Sequence, residues 1–171
     1  MLRILIKEMI SDLKTRRTKL NVFDFDGTLF NSPEPPSDWK KSPGTWYYEL
    51  KSLSKELIGD GSRLWNRQVF SAAMKCLSDD KSITILLTGR NQRNFDEIVK
   101  ELIANAGLSF DYVKLNPGGN TESFKINEIK KILDSNYRIK TIEFWDDNEE
   151  YLQTYKSTFE DLGYNVLINL I

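Results

Sequence analysis

Leu20-Asn21-Val22-Phe23-Asp24-Phe25-Asp26-Gly27-Thr28-Leu29-Phe30 is the stretch whose reading decides the fold. Leu20 to Phe23 form a short apolar strand that runs straight into two carboxylates, Asp24 and Asp26. Gly27 then permits a tight turn. A strand that ends in paired acids is expected to deliver them to the edge of a sheet. Alone, such a pair caps a turn or holds a metal without turnover, so the rest of the chain must decide.

Four further apolar runs follow the same plan. Ile83-Thr84-Ile85-Leu86-Leu87 reads as a strand buried on both faces and ends in Thr88-Gly89-Arg90. Tyr112-Val113-Lys114-Leu115 is closed by the turn Asn116-Pro117-Gly118-Gly119. Thr141-Ile142-Glu143-Phe144-Trp145 ends in Asp146-Asp147, and Val166-Leu167-Ile168 is the last strand. Between them lie helical patterns: Phe95, Ile98, Val99, Leu102, Ile103 and Ala106; then Ile126, Ile129, Ile132 and Leu133; then Leu152, Tyr155, Phe159 and Leu162. Strands alternating with helices predict an α/β fold with a mainly parallel sheet of about five strands. In such sheets the ligand crevice lies at the carboxyl ends of the strands. Asp24, Asp26, Thr88, Asp146 and Asp147 are therefore expected to converge although they are far apart in sequence.

The chain before and between these elements is less regular. Leu2, Ile6, Met9, Ile10 and Leu13 predict a helix over about 2–16, so residues 1–19 are expected to pack as an N-terminal helix on a domain spanning 20–171. The basic stretch Lys14 to Lys19 suits a helix end, with a phosphate contact as the functional alternative. Residues 31–80 form an insert: a loop rich in Pro and Ser, a helical pattern from about 46 to 58, a break at Gly59-Asp60-Gly61, and a helix over about 64–77. The interval between Thr88 and Lys125 holds only one helix and one strand, so no large cap fits there.

Composition narrows the chemistry. The 171 residues are 40% hydrophobic and 29% charged, which suits one core rather than two. The formal net charge of −1 gives no global field to steer nucleic acid, although a local basic face remains possible. One cysteine, Cys76, excludes an internal disulfide. The absence of histidine excludes Ser-His and Cys-His nucleophilic systems and the commonest zinc ligand. The N-terminal run lacks a signal-peptide cleavage pattern, and no segment reaches the roughly 20 apolar residues that span a bilayer, so a soluble intracellular protein is expected.

Clustered carboxylates repel one another unless a cation neutralises them, and as hard oxygen ligands they suit Mg²⁺. Such a site can bring an anionic nucleophile to an anionic phosphate ester. Asp24 is then the expected nucleophile, forming an aspartyl-phosphate. Asp26 is the expected general acid and base, Thr88 the hydroxyl for a phosphoryl oxygen, and Lys125 the cation that offsets the remaining charge. Arg90 has two readings, a contact to substrate phosphate or an ion pair with a nearby acid. Trp39, Trp46, Tyr47 and Tyr48 have two as well, stacking on bases or filling the core beneath the loop.

Phe23 to Phe30, with Thr88, Lys125 and Asp146-Asp147 in that order, resembles the four motifs of the haloacid dehalogenase (HAD) superfamily. Ser32-Pro33-Glu34-Pro35 with Trp39, Leu86 to Arg90, Leu108-Ser109-Phe110-Asp111, Ser123-Phe124-Lys125 and Phe144 to Asp147 resemble, more narrowly, the Swiss Army Knife RNA repair-like HAD domain. The resemblance implies a Rossmann-like core, Mg²⁺ and phosphatase chemistry. It implies Asp147 as metal ligand together with an oxygen of Asp24 and the backbone carbonyl of Asp26. Asp146 and Glu150 would support the ligands from behind, and Thr28, Gly89, Arg90 and Trp39 would contact substrate. One departure is that the fourth motif reads Asp146-Asp147-Asn148 with no following histidine, so substrate contacts from that segment are not carried over. The expected activity is removal of a 3′ or 2′ phosphate from an RNA or DNA end. The alternatives are a small-molecule phosphatase such as a nucleotidase, and a catalytically silent nucleic-acid-binding module.

Overall fold

The computed structural model describes residues 17–171. The helix expected over about 2–16 lies outside the described residues. Five strands, β1 (Lys19–Phe23), β2 (Ser82–Asn91), β3 (Tyr112–Asn116), β4 (Thr141–Asp146) and β5 (Asn165–Leu170), form one sheet in the order β3-β2-β1-β4-β5. Every neighbouring pair is parallel, as the α/β reading requires. The connecting helices are α1 (Lys55–Ile58), α2 (Arg67–Leu77), α3 (Gln92–Asn105), α4 (Thr121–Asp134) and α5 (Glu149–Asp161).

Side-chain alternation along the strands splits the core between the two faces of the sheet. Leu20, Val22, Ile83, Ile85 and Leu87 pack with Ile129 and Leu133 of α4 and with Leu152, Tyr155 and Phe159 of α5. Phe23 and Leu86 face the other way, onto Val69 and Ala73 of α2 and Phe95, Val99 and Ile103 of α3. Helices on both faces explain why β1 and β2 read as nearly continuous apolar runs. The chain leaves β1 for β2 and β3 on one side, then returns to β4 and β5 on the other. That reversal opens a crevice above the carboxyl ends of β1 and β4.

The insert departs from the expected helix over 46–58. It consists of two 3₁₀ turns, Pro43–Tyr48 and Leu50–Leu53, followed by the single-turn α1. Part of the reason is tertiary. The Tyr47 carbonyl accepts from Arg90 Nη1 at 3.2 Å, and Ser52 Oγ, which donates to the Glu49 carbonyl, accepts from the same nitrogen at 2.8 Å. The next helix starts at Arg67 rather than near 64 because Asn66 caps it, its side chain accepting from Gln68 N and Val69 N. β2 also runs further than expected, through Gly89 and Arg90, with a register shift against β3 between Thr88 and Asn91. No helix among the described residues is long and apolar enough to cross a membrane.

Candidate active site

Asp24 follows the last residue of β1, and its backbone N–H still donates to the Trp145 carbonyl of β4 at 2.9 Å. The chain then turns back, with Phe30 N–H on the Phe25 carbonyl at 2.8 Å and Gly27 N–H on the Phe30 carbonyl at 2.9 Å. Gly27 sits at φ +70°, and a Cβ there would collide with the Asp147 carboxylate. Glycine therefore allows the β4 loop to lie against the β1 loop.

Lys125, from the first turns of α4, forms the floor of the site. Its Nζ donates to Asp24 Oδ1 at 2.7 Å and to Asp146 Oδ2 at 2.9 Å. The Lys125 side chain is 4% exposed, and those of Asp24 and Asp146 10% and 5%, so these ion pairs are largely shielded from solvent. Asp146 uses its other oxygen to accept from Asn148 N at 3.0 Å. Burial pushes the Asp24 carboxyl well above the usual range; Lys125 pulls it down, and Asp146 and Asp26 push it up again. For Lys125 burial acts to lower the pKa, but Asp24 and Asp146 more than reverse it and hold the ammonium well above its ordinary value. Asp147 is also raised, by desolvation first and by Asp146 second.

A second wall is built around Arg90. Its Nε donates to both oxygens of Asp26 at 2.9 Å and its Nη2 to Oδ1 at 2.6 Å. Ser32 Oγ also donates to Asp26 Oδ1, and Thr88 Oγ1 lies 3.5 Å from Oδ2. The guanidinium is fully buried, 4.7 Å from the Phe95 ring centroid and 5.7 Å from that of Tyr47. Of the two readings for Arg90, the ion pair with a nearby acid is the one present.

Between the walls lies a cavity of about 200 Å³ lined by Asp24, Asp26, Gly89, Arg90, Lys125, Asp146 and Asp147, with Tyr47, Tyr48, Thr121 and Tyr151 among the other lining residues. Thr88 is fully buried beside it, and its hydroxyl accepts from Arg90 N at 3.2 Å. A Cβ on Gly89 would stand 2.9 Å from the Thr121 side chain, so glycine keeps the β2 end close to α4. Thr28 is buried with its hydroxyl unpartnered, Glu150 is exposed on α5, and Trp39 packs edge-on against Trp46 at 5.2 Å. Trp46 is 2% exposed and donates its indole N–H to the Pro33 carbonyl, which matches the core-filling reading for that residue.

Three residues escaped the sequence reading. Ser52 accepts from Arg90, Ser32 binds Asp26, and Tyr151 lines the cavity. Ser32 lies in a motif noted for other reasons. Tyr151 precedes the buried stripe of α5 by one position, in the first turn of the helix. Nothing local marks Ser52.

Asp24, Asp146 and Asp147 each offer a carboxylate oxygen within 4.8 Å of the others. An all-oxygen donor set, with two of the three acids raised by crowding and burial, fits a hard divalent cation such as Mg²⁺. Asp146 is already committed through both oxygens, whereas the Asp147 carboxylate is exposed, so Asp24 and Asp147 are the more available pair.

The model for HAD domain family 1 of Swiss Army Knife RNA repair proteins matches residues 37–169. The chain belongs to this family. The matched span includes Thr88, Lys125, Asp146 and Asp147, while Asp24 and Asp26 precede it and join the site through the fold. Among curated proteins, "Uncharacterized protein YMR265C" of Saccharomyces cerevisiae is 22% identical over 173 residues, covering 85% of this chain and 38% of that protein. Two solved structures, "Structure of Pnkp1/Rnl/Hen1 complex" and "Structure of the Pnkp1/Rnl/Hen1 RNA repair complex", share the fold at a TM-score of 0.58 and 16% identity. They cover 90% of this chain, which spans 46% and 43% of the respective matched chains. This HAD domain thus corresponds to less than half the length of the relatives it matches.

Proposed function

We propose that this HAD domain is a Mg²⁺-dependent phosphatase that removes a terminal phosphate from a polynucleotide end through an aspartyl-phosphate on Asp24. The observation that carries the proposal is the cluster of buried Asp24, Lys125 and Asp146 with the exposed Asp147 beside them at the carboxyl ends of β1 and β4. The polynucleotide substrate is inferred from the family and from the RNA repair complex among the matched structures.

Asp24 and Asp147, with the Asp26 carbonyl, would hold the ion, which supplies charge neutralisation for the attacking carboxylate and the phosphoryl oxygens. Lys125 occupies one oxygen of Asp24 and fixes the carboxylate; the other oxygen forms the bond to phosphorus as the ester P–O bond breaks. Asp26 delivers a proton to the leaving alkoxide. It then takes a proton from water, which attacks the aspartyl-phosphate and releases inorganic phosphate. Arg90 and Ser32 position the Asp26 carboxylate, the Gly89 backbone lines the cavity and would meet phosphoryl oxygens, and the Thr88 hydroxyl, buried beside the cavity, would be the further donor. Asp146 orients Lys125 and receives Asn148 N–H, so it supports the loop that presents Asp147.

The test is hydrolysis of a 3′-phosphorylated oligonucleotide compared with a 3′-mononucleotide, with and without Mg²⁺. Metal-dependent release of phosphate from the oligonucleotide is expected. A preference above about tenfold in kcat/KM for the mononucleotide would overturn the polynucleotide assignment. Asp24→Asn is expected to reduce turnover of either substrate by at least about 10³-fold, and retained activity would refute the nucleophile.

A further inference from the structure

We propose that Tyr48 and Tyr151 form an aromatic rim that stacks on the base of the nucleotide carrying the scissile phosphate, so that this site selects phosphate ends bearing a base. The inference rests on the phosphatase reading above and adds the part of the substrate that the mouth of the site recognises.

Size is the first argument. A cavity of about 200 Å³ lies below the ~300–1,000 Å³ usual for sites that enclose a small-molecule ligand. It admits the phosphoryl group and the start of the sugar, and leaves the base at the mouth. Charge is the second. The two cations lining the cavity among the described residues are Lys125 and Arg90, and both are bonded to carboxylates. Whatever extends beyond the phosphate therefore meets no uncommitted cation in this lining, and beside polar groups such as Thr121 and Asn148 it meets the rings of Tyr48 and Tyr151.

Position is the third. Tyr48 comes from the insert and Tyr151 from the first turn of α5, and both line the cavity. Tyr48 is 49% exposed, and its hydroxyl is near enough to oppose ionisation of Tyr151. Tyr151 is half-buried, with its ring centroid 6.0 Å from Lys125 Nζ, so it borders the reacting centre directly. The other aromatic side chains of this part of the insert are engaged elsewhere. Tyr47 lies against Arg90, Trp46 is buried with its N–H on Pro33, and Trp39 packs on Trp46. Stacking suits a site that must take any terminal base, because every base offers a π face.

The experiment compares two oligonucleotides that both end in a 3′-phosphate, one with a normal terminal nucleotide and one with an abasic terminal sugar. The readout is the ratio of their kcat/KM values for wild type, Tyr48→Ala, Tyr151→Ala, the double variant and the double Tyr→Phe variant. Wild type is expected to favour the base-bearing end by about tenfold or more. The ratio should fall toward one in the double Ala variant and persist in the double Phe variant, which keeps both rings. Because each ratio is taken within one protein, a partial loss of folded enzyme cancels. A wild-type ratio near one, or a ratio that the Ala variants leave unchanged, overturns the rim while leaving the phosphatase intact. If no phosphate ester is cleaved, that reading fails by itself. The rim is then judged by fluorescence of a terminal 2-aminopurine in an end-phosphorylated oligonucleotide bound with Mg²⁺. Quenching by wild type that the double Ala variant loses supports it, and no such difference refutes it.

Discussion

Asp24 and Asp26 are two residues apart in the chain, yet they stand in opposite walls of the site and meet different partners. On the floor, one ammonium, Lys125, is shared between Asp24 and Asp146, with Asp147 close by, so negative charge exceeds positive charge among buried groups. On the insert side, one guanidinium, Arg90, gives three donor contacts to Asp26 alone and is held by Ser52 and the Tyr47 carbonyl. The first wall is under-neutralised and open to a cation; the second is closed. That contrast is consistent with the proposed roles, a cation held on the Asp24 side and a proton carried on the Asp26 side.

Breaking each wall should give a different signature. Lys125→Met leaves two buried carboxylates without a cation and is expected to lower stability by about 3 kcal/mol in metal-free urea unfolding. A loss below about 0.5 kcal/mol, typical of surface substitutions, would show that the floor is not the strained cluster described. Arg90→Lys keeps the charge but cannot span Asp26, Ser52 and the Tyr47 carbonyl in one plane. It is expected to reduce kcat about 10- to 100-fold with KM little changed. It should also expose residues 43–54 to limited proteolysis, since it releases the contacts that Arg90 makes with the insert. An unchanged kcat would remove Arg90 from the account of Asp26.

The smallest effect distinguishes the walls by pH. Asp24 and Asp147 have folded pKa values above their unfolded ones, so the folded state binds more protons between those values. Metal-free stability contributed by these two groups therefore falls as pH rises from the ordinary carboxylate range through the raised values, and then levels. A divalent ion offsets the exposed repulsion only where the acids are ionised. Mg²⁺ should accordingly stabilise the fold more at neutral pH than near about pH 5, by up to about 2.7 kcal/mol at a hundredfold excess over Kd, read as a larger rise in Tm. Asp147→Asn should abolish most of that gain. A Tm gain that is equal at both pH values would contradict the assignment of the ion to these carboxylates.

The sheet was legible because β1, β2 and β4 are buried on both faces, which leaves apolar runs that end abruptly in polar groups. The approach of Asp24 and Asp146 was expected from that topology, since parallel strands present their carboxyl ends together, whereas Lys125, on a helix, was expected only as the cation that offsets their charge. The insert was less legible. Its helical pattern over 46–58 is real as a periodicity, but a partner 38 residues from Ser52 in sequence, Arg90, captures groups that a continuous helix would leave to itself. Arg90 itself showed two readings in sequence because an arginine beside a strand end serves anions of either origin. Arg90 lies in the stretch where β2 shifts register against β3, between Thr88 and Asn91, and no composition or spacing reveals that shift. Tyr151 was missed for a related reason. Its ring centroid stands 6.0 Å from Lys125 Nζ, a residue of a different helix, while its position in the chain marks only the edge of a buried helical stripe.

The most direct measurement is to trap the covalent intermediate. The protein is mixed with a 3′-phosphorylated oligonucleotide and Mg²⁺, quenched with acid and reduced with borohydride, which converts an aspartyl-phosphate to homoserine. Peptide mass spectrometry should find homoserine at position 24 and at no other aspartate, and should lose it when Mg²⁺ is chelated. Phosphate release with position 24 remaining aspartate, or homoserine at position 26 or 147 instead, would contradict the account.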